Sequence, residues 1–209
     1  MITVKQMQQL ERLAAKQGIF AADLMENAGK QVYYSIKQKY PTKKSHILIF
    51  AGPGNNGGDG FATAKHFAKE NPVVILFFGE KESLSDAARE HYESIRKDIN
   101  IIKINNKADL EKFHPQKDIQ CILIDAMLGI GITNAPHEPI SSAIDYYNSL
   151  PGPKISIDIP SGIHPDTGET LEKSCNTDYI ITFHDLKPGL EQYKDKTVVV
   201  DIGLPKKNV

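Results

Sequence analysis

The chain has only two cysteines, no block of like charge and no apolar run long enough to span a bilayer. Cys121 sits in an apolar run and Cys175 in a polar stretch, so together they make neither a metal-ligand spacing nor a disulfide framework. That usage suits a reducing compartment. The formal net charge is −1, with lysines and arginines spread along the chain. The basic footprint of a nucleic-acid binder is missing, which leaves a small molecule as the expected partner. Apolar runs such as residues 72–79 fall far short of the roughly 20 residues a spanning helix needs. The first seven residues form neither an apolar signal core nor an Arg- and Ser-rich transit pattern. The expectation is a cytoplasmic protein that engages no membrane.

What remains is ordinary globular material: 209 residues, 40% hydrophobic and 24% charged, enough for one core and expected to form one domain over residues 1–209. Thr3 and Gln6 form a capping box, after which Met7, Leu10, Leu13 and Ala14 repeat at helical spacing up to Gly18. A second helix is expected from about Ala21 until just before Pro41, with Leu24, Ala28, Val32 and Ile36 on one face. Beyond it the pattern changes to short continuous apolar runs, which predict strands at 46–50, 73–78, 101–104, 119–125, 155–159, 179–183 and 198–202. Helices are expected at 61–69, 85–97, 107–113 and 138–149. The fold class is therefore α/β: a single Rossmann-like, doubly wound, mainly parallel sheet with an N-terminal helical extension.

Ligands of such sheets bind beyond the carboxyl ends of the strands, and three loops there carry unusual chemistry. The first, residues 51–60, is rich in glycine and polar groups and leads into a helix, an arrangement that cradles phosphate. Gly52, Gly54 and Gly57 even fit the dinucleotide fingerprint, with Glu80 near the place of a ribose-binding acid. The second loop follows Asp125, a buried strand-end carboxylate that needs a partner. The third follows Asp158, a second strand-end acid suited to general acid or base work, presented by a turn containing Pro160 and Gly162. Asn56, Asp125 and Ser161 offer hard oxygen ligands that suit an alkali or alkaline-earth cation better than zinc. Lys187 could approach a phosphate, yet a lone lysine is more often surface charge, and it is left out of the catalytic residues.

The motifs at residues 55–60 (NNGGDG), 125–131 (DAMLGIG) and 158–162 (DIPSG), with 24–29 (LMENAG), 187–190 (KPGL) and 200–205 (VDIGLP), resemble those of the YjeF N-terminal domain family. The resemblance covers nearly the whole chain and implies an isomerase, an epimerase interconverting the 6R and 6S forms of hydrated NADH and NADPH (NADHX and NADPHX). It implies substrate binding by Asn55, Asn56, Gly57, Gly58 and Asp59, by Gly129, Ile130, Gly131, Ile132, Thr133, Asn134 and Ala135, and by Asp158. It implies potassium held through Asn56, Asp125 and Ser161, and a homodimer. Asp158 is the expected catalytic residue, with Asp59 as helper. Because no kinase-like domain follows in this sequence, a separate dehydratase is expected to use the product. The alternatives are an NAD(P)-dependent dehydrogenase and a non-catalytic nucleotide-binding or scaffold module of the same fold.

Overall fold

The computed structural model describes residues 1–115 and 119–205; the last four residues of the domain expected over 1–209 lie outside the described ones. The elements run α1 (Val4–Lys16), α2 (Ala21–Lys39), β1 (His46–Ala51), α3 (Asn55–Phe67), β2 (Val73–Phe77), α4 (Asp86–Ile95), β3 (Asn100–Lys103), α5 (Lys107–Lys112), β4 (Cys121–Ala126), α6 (Ile140–Ser149), β5 (Lys154–Ile157), β6 (Tyr179–Phe183) and β7 (Thr197–Val200). Two 3₁₀ helices, Lys81–Ser83 and Pro188–Lys196, were not expected from the apolar pattern. The strands form one seven-stranded sheet in the order β3-β2-β1-β4-β5-β6-β7, and every pairing between them is parallel.

Continuous apolar strands imply that both faces are covered, and the two cores show how. Ile47, Ile49 and Ala51 of β1, with Ile122, Ile124 and Ala126 of β4, pack under α1 to α4. Leu48 and Phe50, with Leu123, pack on the other face against Ile140, Ala143, Ile144 and Tyr147 of α6. The capping box at Thr3 forms as its spacing predicts, with Gln6 N–H donating to Thr3 Oγ1 and Thr3 N–H donating to Gln6 Oε1.

Two boundaries differ from expectation for reasons that bear on function. The helix predicted at 61–69 starts six residues earlier, inside the glycine loop, so Asp59 lies within the helix and Gly54 is its N-cap. Glycine and asparagine carry poor helix propensity, but glycine permits close packing, and here packing decides. The strand predicted to reach residue 159 stops at Ile157, because Asp158 turns into the left-handed region at φ 63.

Candidate active site

The winding of the sheet reverses between β1 and β4, and above the carboxyl ends of these strands lies a cavity of about 550 Å³. This is where open α/β sheets bind ligands. Its walls come from the loops after β1, β4 and β5, from the start of α3 and the end of β6, from α1 and α2, and from Ile202 and Leu204 near the C-terminus.

On the β1 side, Gly54 caps α3 without a side-chain bond, and Gly58 N–H donates to the Gly54 carbonyl. The N–H groups of Asn55, Asn56 and Gly57 therefore precede the helical ladder and, with the helix dipole, are donors of the kind that suit an anion. Asn55, Asn56 and Asp59 line the cavity, whereas Gly57 and Gly58 do not. The close approach that these glycines allow is to the protein itself. A Cβ at Gly57 would lie 1.9 Å from the Gly52 carbonyl oxygen, and one at Gly58 would lie 2.4 Å from Met25 Sδ.

On the β4 side, Asp125 is fully buried and receives hydrogen bonds from Met127 N–H (3.2 Å), Ser156 Oγ (2.9 Å), Ser161 N–H (2.8 Å) and Ser161 Oγ (2.5 Å). Burial pushes its carboxyl up from the ordinary range, and these donors oppose the push. The partner that its burial demanded is thus the third loop. Asn56 Nδ2 donates to the Leu128 carbonyl (2.9 Å), and Leu128 N–H donates to Ser161 Oγ (2.9 Å), so Asn56, Asp125 and Ser161 meet around Leu128. Asn56 Oδ1 is buried without a hydrogen-bond partner. Gly129, Ile130, Gly131 and Ile132 line the cavity; Ala135 and the exposed Thr133 and Asn134 do not.

Asp158 enters the cavity from the end of β5 and is 6% exposed. Its Oδ1 accepts from Thr182 Oγ1 (3.1 Å), from Phe183 N–H (3.2 Å) and from Lys187 Nζ in an ion pair. Lys187 is 1% exposed and donates also to Thr182 Oγ1 (2.9 Å) and the Phe183 carbonyl (3.0 Å), so all its protons are engaged. The reading of Lys187 as surface charge is corrected here. The signal that could have found it is the need of a second strand-end acid for a partner, the same argument that applied to Asp125.

Sequence reasoning also missed Glu11. The start of α1 is fastened over the site by Ile2 N–H donating to the Leu186 carbonyl (2.8 Å) and Val4 N–H donating to Asp166 Oδ1 (2.9 Å). Met7, Gln8, Glu11 and Ala15, at helical spacing, then face the cavity. Glu11 keeps solvent access there, yet surrounding protein raises its pKa by desolvation, with Asp158 adding to the rise and Lys187 and Arg12 opposing it. Asp59 is pushed much further up, first by burial and then by the charges of Asp158 and Glu11. Asp59 and Asp158 thus share a cavity in contrasting settings, one desolvated and the other ion-paired. Among the described residues no Lys or Arg lines that cavity. Glu80 lies outside its lining, paired with Lys103 at 2.5 Å.

A parallel α/β sheet with a cavity at its topological switch point defines the doubly wound class of architecture. Residues 21–189 match the family model described as YjeF-related protein N-terminus, and the chain belongs to that family. It is 34% identical to the NAD(P)H-hydrate epimerase of Nitrosopumilus maritimus, covering 98% of this chain and 95% of that protein. It is 35% identical to the bifunctional NAD(P)H-hydrate repair enzyme of Pyrobaculum aerophilum over 98% of this chain, and spans 42% of that enzyme's length. A crystal structure of the yeast protein ynu0 superimposes with a TM-score of 0.82 at 21% identity, covering 96% of this chain and 87% of the yeast chain, which speaks for the fold.

Proposed function

We propose that this chain is an epimerase of hydrated NADH and NADPH. The observation that carries the reading is the pair Asp59 and Asp158 on one cavity. One is desolvated and the other ion-paired, and two carboxyl groups in such contrasting settings can divide acid and base roles. In the substrate, C6 of the reduced ring carries a hydroxyl beside N1. Asp59, held toward its neutral form, donates its proton to that hydroxyl; the C6–O bond breaks, water leaves, and the N1 lone pair closes a C6–N1 iminium. Water then adds to the opposite face and gives its proton to the free oxygen of Asp158. Atoms and electrons balance without a redox step, and solvent resets the two carboxyl groups. This assignment reverses the expected order of the pair: Asp158 has the Lys187 ammonium on its Oδ1 and its other oxygen turned to the reaction, so it takes the base role.

The pyrophosphate rests on the free amides at the start of α3, which precede Gly58. Potassium fits beside it through Asn56 Oδ1, the buried oxygen without a donor, while Asp125 and Ser161 stand behind as a hydrogen-bonded pair. When bound, the ion supplies positive charge that no lining lysine or arginine offers. The exposed Leu13, Phe20 and Tyr34 support a homodimer, and the product is suited to a dehydratase that takes the 6S form. No helix of the described residues is long and apolar enough to cross a membrane; together with the cysteine usage this supports a cytoplasmic setting. The dehydrogenase alternative loses its ribose-binding acid, since Glu80 lies outside the cavity lining and pairs with Lys103.

The direct test is to supply pure (6R)-NADPHX and follow its conversion to the 6S form by chromatography. Conversion no faster than the spontaneous rate sinks the reading.

A further inference from the structure

The segment matching the family model begins at residue 21, so α1 lies before it. Yet α1 walls the cavity, and the one ionisable side chain it places there is Glu11. We propose that Glu11 is a positioning residue of the epimerase site, a fixed negative charge that makes the ring subsite selective for a positively charged ring over a neutral one. The inference rests on the epimerase reading and extends it to how the cationic intermediate is favoured.

Four observations support it. Glu11, Asp59 and Asp158 all open onto the same cavity, and Lys187, the cation paired with Asp158, uses its three protons on Asp158, Thr182 and Phe183. The rest of the wall is largely apolar, with Met7, Leu24, Met25, Ile130 and Phe183 among its members, so a ring filling the cavity displaces water between itself and Glu11 and meets few competing polar groups. The cavity is built for a ligand, because Asn56 lines it, is only 7% exposed and has its Oδ1 without a partner. Finally, α1 is held in place by bonds at its own start, to Asp166 and Leu186, so removing the Glu11 charge leaves the helix anchored. Glu11 makes no hydrogen bond among the described residues, and its carboxylate is thus available to the ring. A preorganised charge in such a site counts most where charge develops, in the iminium and the states around it.

The test compares wild type, Glu11→Gln and Glu11→Asp in two assays. In the first, Glu11→Gln lowers kcat for (6R)-NADPHX about tenfold with KM little changed, the signature of an interaction made mainly in the transition state, and Glu11→Asp restores part of it. In the second, calorimetry with 1-methylnicotinamide, a permanent cation, and nicotinamide, a neutral ring, shows wild type preferring the cation and Glu11→Gln losing that preference. Wild-type kcat in a Glu11→Gln variant that also keeps the cation preference overturns the role of Glu11 and leaves the epimerase reading standing. Wild-type protein that does not convert the epimers overturns both.

Discussion

Asp158 and Lys187 form a buried pair in which each group depends on the other. Removing one partner of such a pair leaves an uncompensated charge and costs about 3–5 kcal/mol. Lys187→Met is therefore expected to lower the urea midpoint strongly and to lose activity. Asp158→Asn leaves the buried Lys187 without its counter-charge and carries a similar stability cost, so kcat, expected to fall about 10²- to 10⁴-fold, is read only on protein that keeps native circular dichroism. Wild-type kcat in the folded variant would remove Asp158 from the mechanism. Asp59 behaves in the opposite sense. Its pKa is raised on folding, so between the unfolded and folded values the native state binds the extra proton, and stability falls as pH rises through that window. Asp59→Asn deletes this penalty. It should raise Tm at pH 7 relative to pH 4, each ~1 kcal/mol appearing as about 2–4 °C in a domain of this size, while epimerisation falls. Equal Tm differences at both pH values would count against a neutral Asp59.

At the scale of elements, the turn from β1 into α3 does two jobs. Its first amides face the cavity, and its glycines let α3 sit close against the Gly52 turn and against α2 and α4. The two neighbouring glycines should therefore respond differently. Gly57→Ala drives a methyl into the Gly52 carbonyl, a backbone atom with no freedom to yield, and is expected to cost about 3 kcal/mol or more. Gly58→Ala meets the movable end of Met25 and also Ala88 Cβ at 2.9 Å, so the gain in helix propensity offsets only part of the crowding and its cost should stay below that of Gly57→Ala. Chemical denaturation of the two variants checks the ranking, and the reverse order would mean that the loop packs differently. α2 is tied to the C-terminal segment in a comparable way, since Asn27 Nδ2 donates to the Ile202 carbonyl (3.0 Å) and thereby holds Ile202 and Leu204 at the cavity wall.

For the whole molecule, a cation that binds only the folded state raises Tm in proportion to the logarithm of its concentration above Kd. Thermal unfolding in KCl should exceed that in NaCl at equal ionic strength, and Asn56→Ala should abolish the difference while leaving the Asp125–Ser161 pair intact. Identical melting in both salts, with or without dinucleotide, would remove potassium from the site.

The architecture could be read from the chain because strand and helix periods are local properties. Continuous apolar runs announced a sheet covered on both faces, and all seven strands appear within two residues of their expected starts. Asp125 and Asp158 stood out because an acid at the end of a buried strand must find a partner. What the partners were depended on contacts between residues far apart in sequence. Ser161 closing on Asp125 was within reach of motif reading, but Lys187 looked like any other lysine until β6 and the following turn brought it under Asp158. Glu11 sat unnoticed among the polar residues of an amphipathic helix, since only the docking of α1 decides which of its polar residues meets the cavity. The glycines near residue 57 signalled close approach correctly and left its object open, ligand or protein. Local pattern therefore determined the elements and the identity of the strand-end acids. Burial, charge pairing and the contrasting settings of Asp59 and Asp158 arose only on folding, because desolvation and Coulomb interactions depend on distances that sequence order does not carry.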